Sequence, residues 1–405
     1  MKKSLIIITL ALTACTAKAP MSLRVVESEM ARCPKATFID GLDGRLKWNY
    51  TTGLELKAFL DVCEISPLAS LGRNDNDASL GRNDNEESEI INYVDEWYDE
   101  VIDSSGHILN YKMSNFSLDH ICPGRTLFQL YDLTGKEKYR MAMDTLYLQL
   151  LEQPRTPEGG FWHKAIYPDQ MWLDGLYMAE PFLAEYTVRY LPDSLRTDNY
   201  KDIVHQFSTV YDYTLDSETG LLRHAWDSSH EMFWCDPDTG QSAHAWGRAM
   251  GWYMMGLVDV IDILPDGEEK DALVGLFKGL ASTLPVYADT KTGMWFQVLD
   301  RPYAEGNYLE ATVNAMLSYA YLKGCRLGIL DCREYALQTY QSLLKTFVTE
   351  DAGLVSLNDC CEVAGLGGKK MRSGDYDYYI HERVRANDPK GIGPLIWASL
   401  EYEML

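Results

Sequence analysis

The 405-residue chain is predicted to be all-α, its helices paired as six hairpins that close into a double ring. Three observations predict this. Twelve segments carry apolar residues at helical spacing, and no strand pattern alternates with them as a parallel sheet would require. No linker rich in Pro, Gly or Ser divides the chain. An open helical solenoid is the rival arrangement, but no repeated sequence period supports it.

Helices are expected near residues 22–32, 46–63 and 88–103, then at 119–133 and 136–151 on either side of the turn stretch DLTGKEKY. They continue at 170–190 and 198–214, flanking LPDSLRTD, and at 245–263 and 267–288, flanking LPDGEEKD. The last three fall at 307–324, 332–349 and 391–404. Gly, Pro, Asn and Asp in the connecting stretches supply turn geometry. Pro181 inside the sixth segment should kink that helix or mark its start late. Between the second and third helices, ASLGRNDND (69–77) is followed at once by ASLGRNDNE (78–86). This polar duplication reads as a solvated surface loop. A calcium loop is the functional alternative, but it lacks the ligand spacing and terminal Glu of an EF-hand.

The N-terminus, MKKSLIIITLALTAC, places two lysines before an apolar run and small residues. That is the pattern of a secretory signal rather than of a spanning helix. Leu12-Thr13-Ala14-Cys15 looks like a bacterial lipobox. Residues 1–14 are therefore expected to be removed and Cys15 lipidated, leaving a single domain over 22–405. The protein is expected to be exported to the periplasmic face of a membrane, held there by its lipid alone. An ordinary signal peptide with an incidental Cys15 is the alternative. The formal charge of −23 becomes −25 once Lys2 and Lys3 leave. This excludes a general nucleic-acid binder, and an anionic substrate needs a local cluster of cations. The other eight cysteines (33, 63, 122, 235, 325, 332, 360 and 361) are too sparse for a disulfide framework and contain no C-x-x-C pair. They read as core thiols with at most one or two bridges.

Ten Trp and 26 Tyr are many for this length, and such rings often line sugar sites. Polar residues cluster among them. Asp119 and His120 stand in NFSLDHICPGR. GGFWHKAIYPDQMWLDG carries His163, Lys164, Trp172 and Asp174. Arg223, His224 and Trp226 stand in GLLRHAWD, and HAWGRAMGW adds His244, Trp246, Arg248 and Trp252. Singly, each reads as a packing or salt-bridge residue. Together, most lie at helix N-termini or in the loops before them, and in a ring of hairpins those ends share one mouth. Asp174 shares YPDQMWLDGLYMAEPF with Asp169 and Glu180 and stands in its most apolar part, MWLDGLYMA. On a helix apolar on most sides it should be buried, hence either paired or working.

The runs QMWLDGLYMAEPF, FWHK and HAWGRAMGW, with LDHICPGRTLFQLYDLTGKEKY, GLLRHAWD and NDPKGIGPLIWASLEYE, resemble the unsaturated uronyl hydrolases of glycoside hydrolase families 88 and 105. The likeness is strongest to the unsaturated rhamnogalacturonyl hydrolases of family 105, over roughly residues 45–405. It implies an (α/α)6 barrel, in agreement with the helix count, and no cofactor or metal. It implies that Asp174 is the general acid/base and Asp119 a second active-site aspartate. It further implies that Tyr50, Lys164, Trp172, His224, Trp246, Arg248 and Trp252 line the substrate pocket. WGRAMGW has Ala249 and Met250 where many relatives have Gly-Asn, which changes the contacts made there.

The implied substrate is an oligosaccharide left by a lyase, with a C4=C5 double bond in its terminal uronic acid and rhamnose as the next sugar, galactose or another neutral sugar being the alternatives. An acid that protonates C4 of this vinyl ether creates an oxocarbenium ion across C5, and water then adds at C5. A carboxyl raised in pKa by burial would suit the first step. Lys164 and Arg248 are the candidates to hold the uronate. Two alternatives stand beside this reading. One is a conventional glycosidase using Asp119 and Asp174 as a carboxylate pair on a saturated sugar. The other is a non-catalytic oligosaccharide-binding lipoprotein. His224, His230 and His244 lack the spacing of a metal site.

Overall fold

The computed structural model describes residues 18–65 and 84–405. The twelve expected helices all form. They are α1 (Met21–Arg32), α2 (Tyr50–Ile65), α3 (Asp84–Val101), α4 (Arg125–Thr134), α5 (Glu137–Glu152) and α6 (Leu173–Tyr190). There follow α7 (Asp193–Thr214), α8 (Gly247–Ile263), α9 (Glu268–Thr283), α10 (Ala311–Arg326) and α11 (Arg333–Phe347). After α12 (Tyr376–Ile380), a single unexpected turn, the chain ends in α13 (Pro389–Met404).

Two kinds of helix alternate along the chain, and burial tells them apart. α8 is buried without a break from Gly247 to Ile261, α10 from Ala311 to Gly324 and α13 from Pro389 to Glu401. A helix apolar on every side belongs at the centre of a domain. By contrast, α3 buries Ile90, Val94, Trp97, Tyr98 and Val101, and α11 buries Ala336, Thr339, Tyr340, Leu343 and Phe347. That three-and-four spacing marks a single core-facing stripe. In the inner ring α2 packs on α4 and α13, α13 on α10, α10 on α8, and α8 on α6. The ring closes where Phe182 of α6 meets Phe128 of α4, their ring centroids 5.3 Å apart. Gly251 permits the close approach of α8 to α10, since a Cβ there would lie 2.6 Å from the Met316 sulfur. Outer helices α1, α3, α5, α7, α9 and α11 each lie against an inner neighbour. The architecture is the expected all-α (α/α)6 barrel of six helical hairpins.

Helix boundaries differ where local chemistry overrides period. The fourth helix begins at Arg125 rather than 119, because Pro123 has no N–H to give and fits a helix only at its first turn. Residues Leu118–His120 and Cys122–Gly124 form tight 3-10 turns instead. The sixth begins at Leu173. Gln170–Trp172 forms β1, which pairs antiparallel with β2 (Ala225–Asp227), Trp172 lying opposite Ala225. Met171 therefore shares no helix face with Asp174. Pro181 sits inside a continuous α6. The α3 helix starts at Asp84, so the end of the duplicated segment is helical rather than loop, while its residues 69–83 lie outside the described residues. So do the leader and Cys15. Two further hairpins, β3–β4 (Val348–Asp351, Leu354–Leu357) and β5–β6 (Cys360–Cys361, Val384–Arg385), complete the structure. The eight described cysteines are free thiols, with the sulfurs of Cys325 and Cys332 3.7 Å apart.

Toward the C-terminal ends of the inner helices a charged network lines a cavity of about 180 Å³. Asp259 accepts from Arg125 at 2.8 Å, from Lys323 at 2.9 Å and from the Tyr319 hydroxyl. Burial pushes its carboxyl up, but Lys323, Arg125 and Tyr319 outweigh burial and hold it ionised. The pairs join α4, α8 and α10, and the chemistry-bearing side chains collect at the helix N-termini.

Candidate active site

Tyr50, Asp119, Asp174, Arg248 and Asp388 stand at or just before the N-termini of α2, α4, α6, α8 and α13. They lie close enough that Tyr50 feels the charge of the other four. Glu310, which caps α10 by accepting from the Val313 N–H at 2.7 Å, is near enough to act on Arg248. Six helix N-termini thus face one mouth. Each carries the positive end of a helix dipole, so the mouth favours an anion on a protein that is strongly acidic overall.

The turn that replaces the start of the fourth helix presents Asp119 to the loop between α5 and β1. Lys164 from that loop binds its Oδ2, and His163 Nε2 lies 3.4 Å from Oδ1. Burial raises the Asp119 carboxyl, but Lys164 and His163 outweigh it and hold it below the usual range. His163 itself is pushed down to about 4, chiefly by burial and then by Lys164, so at neutral pH it is an uncharged ring. It stacks flat on Trp172, 4.8 Å between centroids. Lys164 is thereby engaged by a protein carboxylate, which leaves Arg248 as the stronger candidate for holding a substrate acid.

Asp174 lies in the first turn of α6 and leaves 16 % of its side chain open to the mouth. Its Oδ2 lies 3.4 Å from Nε2 of His224, an ion-pair separation rather than a well-formed hydrogen bond. The expectation of a raised pKa is corrected here. Burial does push the carboxyl up, but the His224 imidazole, His163 and Arg248 together hold it below the ordinary value. At the sequence level burial was visible and the groups that converge on the carboxyl were not.

Arg248 is 1 % exposed. Its guanidinium lies 4.5 Å over the Trp246 ring and donates to the Cys361 carbonyl. Trp246 donates from Nε1 to Gln297 at 3.2 Å and lies 4.7 Å from the His224 ring. Trp172 meets His224 edge-on at 5.4 Å. Trp252 supports Tyr50 from behind, edge-on at 6.4 Å, and leans on Tyr177. All nine residues expected at the site therefore form one connected cluster. Beside it, a cavity of about 330 Å³ runs along Tyr50 and Asp119, walled by Trp48, Asn49, His120, Glu362 and Lys390, within the size range of small-ligand sites.

Other members of the motifs do packing work. Arg223 and His244 both bind Asp300, at 3.2 and 2.8 Å, and Trp226 stacks on Tyr213 at 4.0 Å. Four contributors escaped the sequence reading: Tyr379, the Glu310 cap, Gln297 and Asp388. Nothing in SGDYDYYIHER marks Tyr379. A signal did exist in NDPKG, where an Asp before a Pro is a helix N-cap, and Asp388 does accept from the Lys390 N–H at 3.0 Å.

Comparison with known proteins shows the family. A glycoside hydrolase of family 105 from C. acetobutylicum ATCC 824 superposes with a TM-score of 0.85 at 38% identity, covering 96% of this chain and all of that one. A 24.9 kDa protein in the picA locus of Rhizobium radiobacter is 35% identical over 229 residues, 54% of this chain and 97% of that protein. The unsaturated 3S-rhamnoglycuronyl hydrolase of Formosa agariphila is 25% identical over 167 residues, 40% of this chain and 42% of that enzyme. The sequence pattern of Glycosyl Hydrolase Family 88 matches residues 21–405, and the chain belongs to that family of glycoside hydrolases.

Proposed function

We propose that this protein removes the Δ4,5-unsaturated uronic acid from the non-reducing end of lyase-generated oligosaccharides, with unsaturated galacturonyl-rhamnose as its substrate. One observation carries the reading. A partly open carboxyl, Asp174, stands beside an imidazole and free of the lysine that binds Asp119, at a mouth where a buried arginine and six helix N-termini favour an anion. Rhamnose as the next sugar is supported by the name of the Formosa relative. The cavity beside Tyr50 and Asp119 offers room for it.

In the proposed reaction the uronate lies against Arg248, and its charge offsets one of the groups that, after His224 and His163, hold Asp174 ionised. Asp174 delivers its proton to C4, and the positive charge spreads over C5 and the ring oxygen. Water adds to C5 as Asp174, now a base, takes a proton from it. The C5 hemiketal opens to a ketone, leaving a hemiacetal at C1 that expels the next sugar. The site removes no electrons and needs only one carboxyl that acts twice.

In heavy water this route leaves deuterium on C4 of the released keto-acid, read by mass spectrometry and proton NMR on samples quenched early. The ultraviolet absorbance of the double bond is expected to vanish in step with sugar release, and a saturated uronide to be inert. Sugar released with the double bond intact would instead assign Asp119 and Asp174 to conventional glycoside hydrolysis.

We also propose export and lipidation at Cys15, on the pattern of the N-terminal sequence. Cys15→Ser is expected to move the protein from the membrane fraction to the soluble one. A wild-type protein already wholly soluble would overturn this.

A further inference from the structure

Proton supply is a difficulty for this chemistry, because Asp174 must be neutral before it can act and its surroundings favour the ionised form. Its nearest titratable neighbour is His224, a side chain with no exposed surface. Among the described residues, neither Asp174 Oδ2 nor His224 Nε2 has a hydrogen-bond partner elsewhere. The two atoms face each other at 3.4 Å, a gap of the kind that tightens when a substrate closes a site. On the far side of the ring, Nδ1 lies 2.7 Å from the hydroxyl of Tyr379.

We propose that Tyr379 is a positioning residue for this reaction, accepting a hydrogen bond from Nδ1 of His224 so that Nε2 and Asp174 share the proton spent on the substrate. The proposal rests on Asp174 being the acid.

The direction of the hydrogen bond matters. With Nδ1–H donating to Tyr379, the ring can pass between imidazolium beside a carboxylate and imidazole beside a carboxylic acid without turning. The proton crosses from Nε2 to Oδ2, no other bond changes, and the proton that Asp174 takes from the attacking water restores the pair at the end of each turnover. Were Tyr379 the donor, Nε2 would carry a fixed N–H and Asp174 would stay ionised. Tyr379 is held to its task. Its carbonyl accepts from Gln297 Nε2 at 3.2 Å, its ring lies parallel to that of Trp246 at 6.0 Å, and the side chain is fully buried. Burial also keeps the phenol protonated. The titratable groups around the couple are His163 on the α5–β1 loop, Arg248 on α8 and Tyr50 on α2. Tyr378, Asp300 and Cys361 stand behind Tyr379.

Tyr379→Phe keeps the ring and removes the acceptor. Nδ1–H is then buried without a partner, so the couple should lose its shared proton more readily. We expect kcat to fall roughly tenfold with KM within about twofold of wild type, and the alkaline limb of kcat to move down by about one pH unit. A packing role for the hydroxyl would leave that limb in place. The second measurement needs no substrate. In ¹⁵N-histidine NMR of the free enzyme, His224 should show a protonated Nδ1 that exchanges faster in Tyr379→Phe. An Nε2–H tautomer in the wild type, or an Nδ1 signal and pH limb unchanged in the variant, would overturn the proposal. An enzyme that opens no unsaturated uronide sinks the functional reading instead, and the His224 resonance still decides the Tyr379 assignment.

Discussion

Asp174→Asn is expected to fold as the wild type does and to lose activity on an unsaturated disaccharide by several orders of magnitude. The amide has the shape of the carboxyl but can neither give a proton to C4 nor take one from water, so both halves of the cycle fail together. Little structural penalty is expected. Among the described residues the only contact within ion-pair range is His224 at 3.4 Å, and one edge of the side chain faces the mouth. Thermal unfolding should therefore stay close to that of the wild type while the ultraviolet signal of the substrate persists. Near-normal turnover would return Asp174 to a structural role. The wild-type pH dependence carries a related expectation. In the free enzyme the carboxyl is held below its ordinary value, so the protonated fraction, and with it kcat/KM, should fall steadily as pH rises. Bound uronate offsets Arg248 and displaces water, and both effects raise the carboxyl's pKa. The alkaline limb of kcat should accordingly lie at higher pH than that of kcat/KM, since the two report bound and free enzyme.

How much of this could be read from the sequence depends on the range of the physics. The barrel was legible because apolar period is local. The all-round apolar faces of α8, α10 and α13 and the single stripes of α3 and α11 follow from spacings of three and four, and their alternation dictates a double ring. Helix starts were less legible. Pro123 and the pairing of Trp172 with Ala225 moved two boundaries, and the second pairing joins residues 53 positions apart. The site was half legible. Asp174 and Arg248 stood out as charges in apolar runs, yet the field at Asp174 is set by groups brought together only in three dimensions. Lys164 looked like a free cation until the Leu118–His120 turn delivered Asp119 to it. Tyr379 lies 155 positions from His224, in a stretch whose several tyrosines look alike in one dimension.

Arg248→Ala is expected to raise KM for the unsaturated disaccharide roughly 10- to 150-fold, the equivalent of about 1.5–3 kcal/mol for a charge-assisted contact. The fall in kcat should be smaller. The arginine is placed for this by three constraints. It stands in the first turn of α8, its guanidinium lies over Trp246, and Nη1 is spent on the Cys361 carbonyl. It is also the cation that opposes the buried Glu310 carboxyl, which burial has already raised above its usual value. Removing it should cost some thermal stability as well, which must be separated from lost binding. A substrate whose uronate is converted to its methyl ester separates them. The ester should bind the wild type as poorly as the free acid binds Arg248→Ala, and should bind the variant no worse than that, because the same contact is missing from either side. Arg248→Lys keeps the charge but lacks the planar fork and the ring stacking, and should fall between the two. Equal KM values for acid and ester in the wild type would show that the uronate is not held by Arg248.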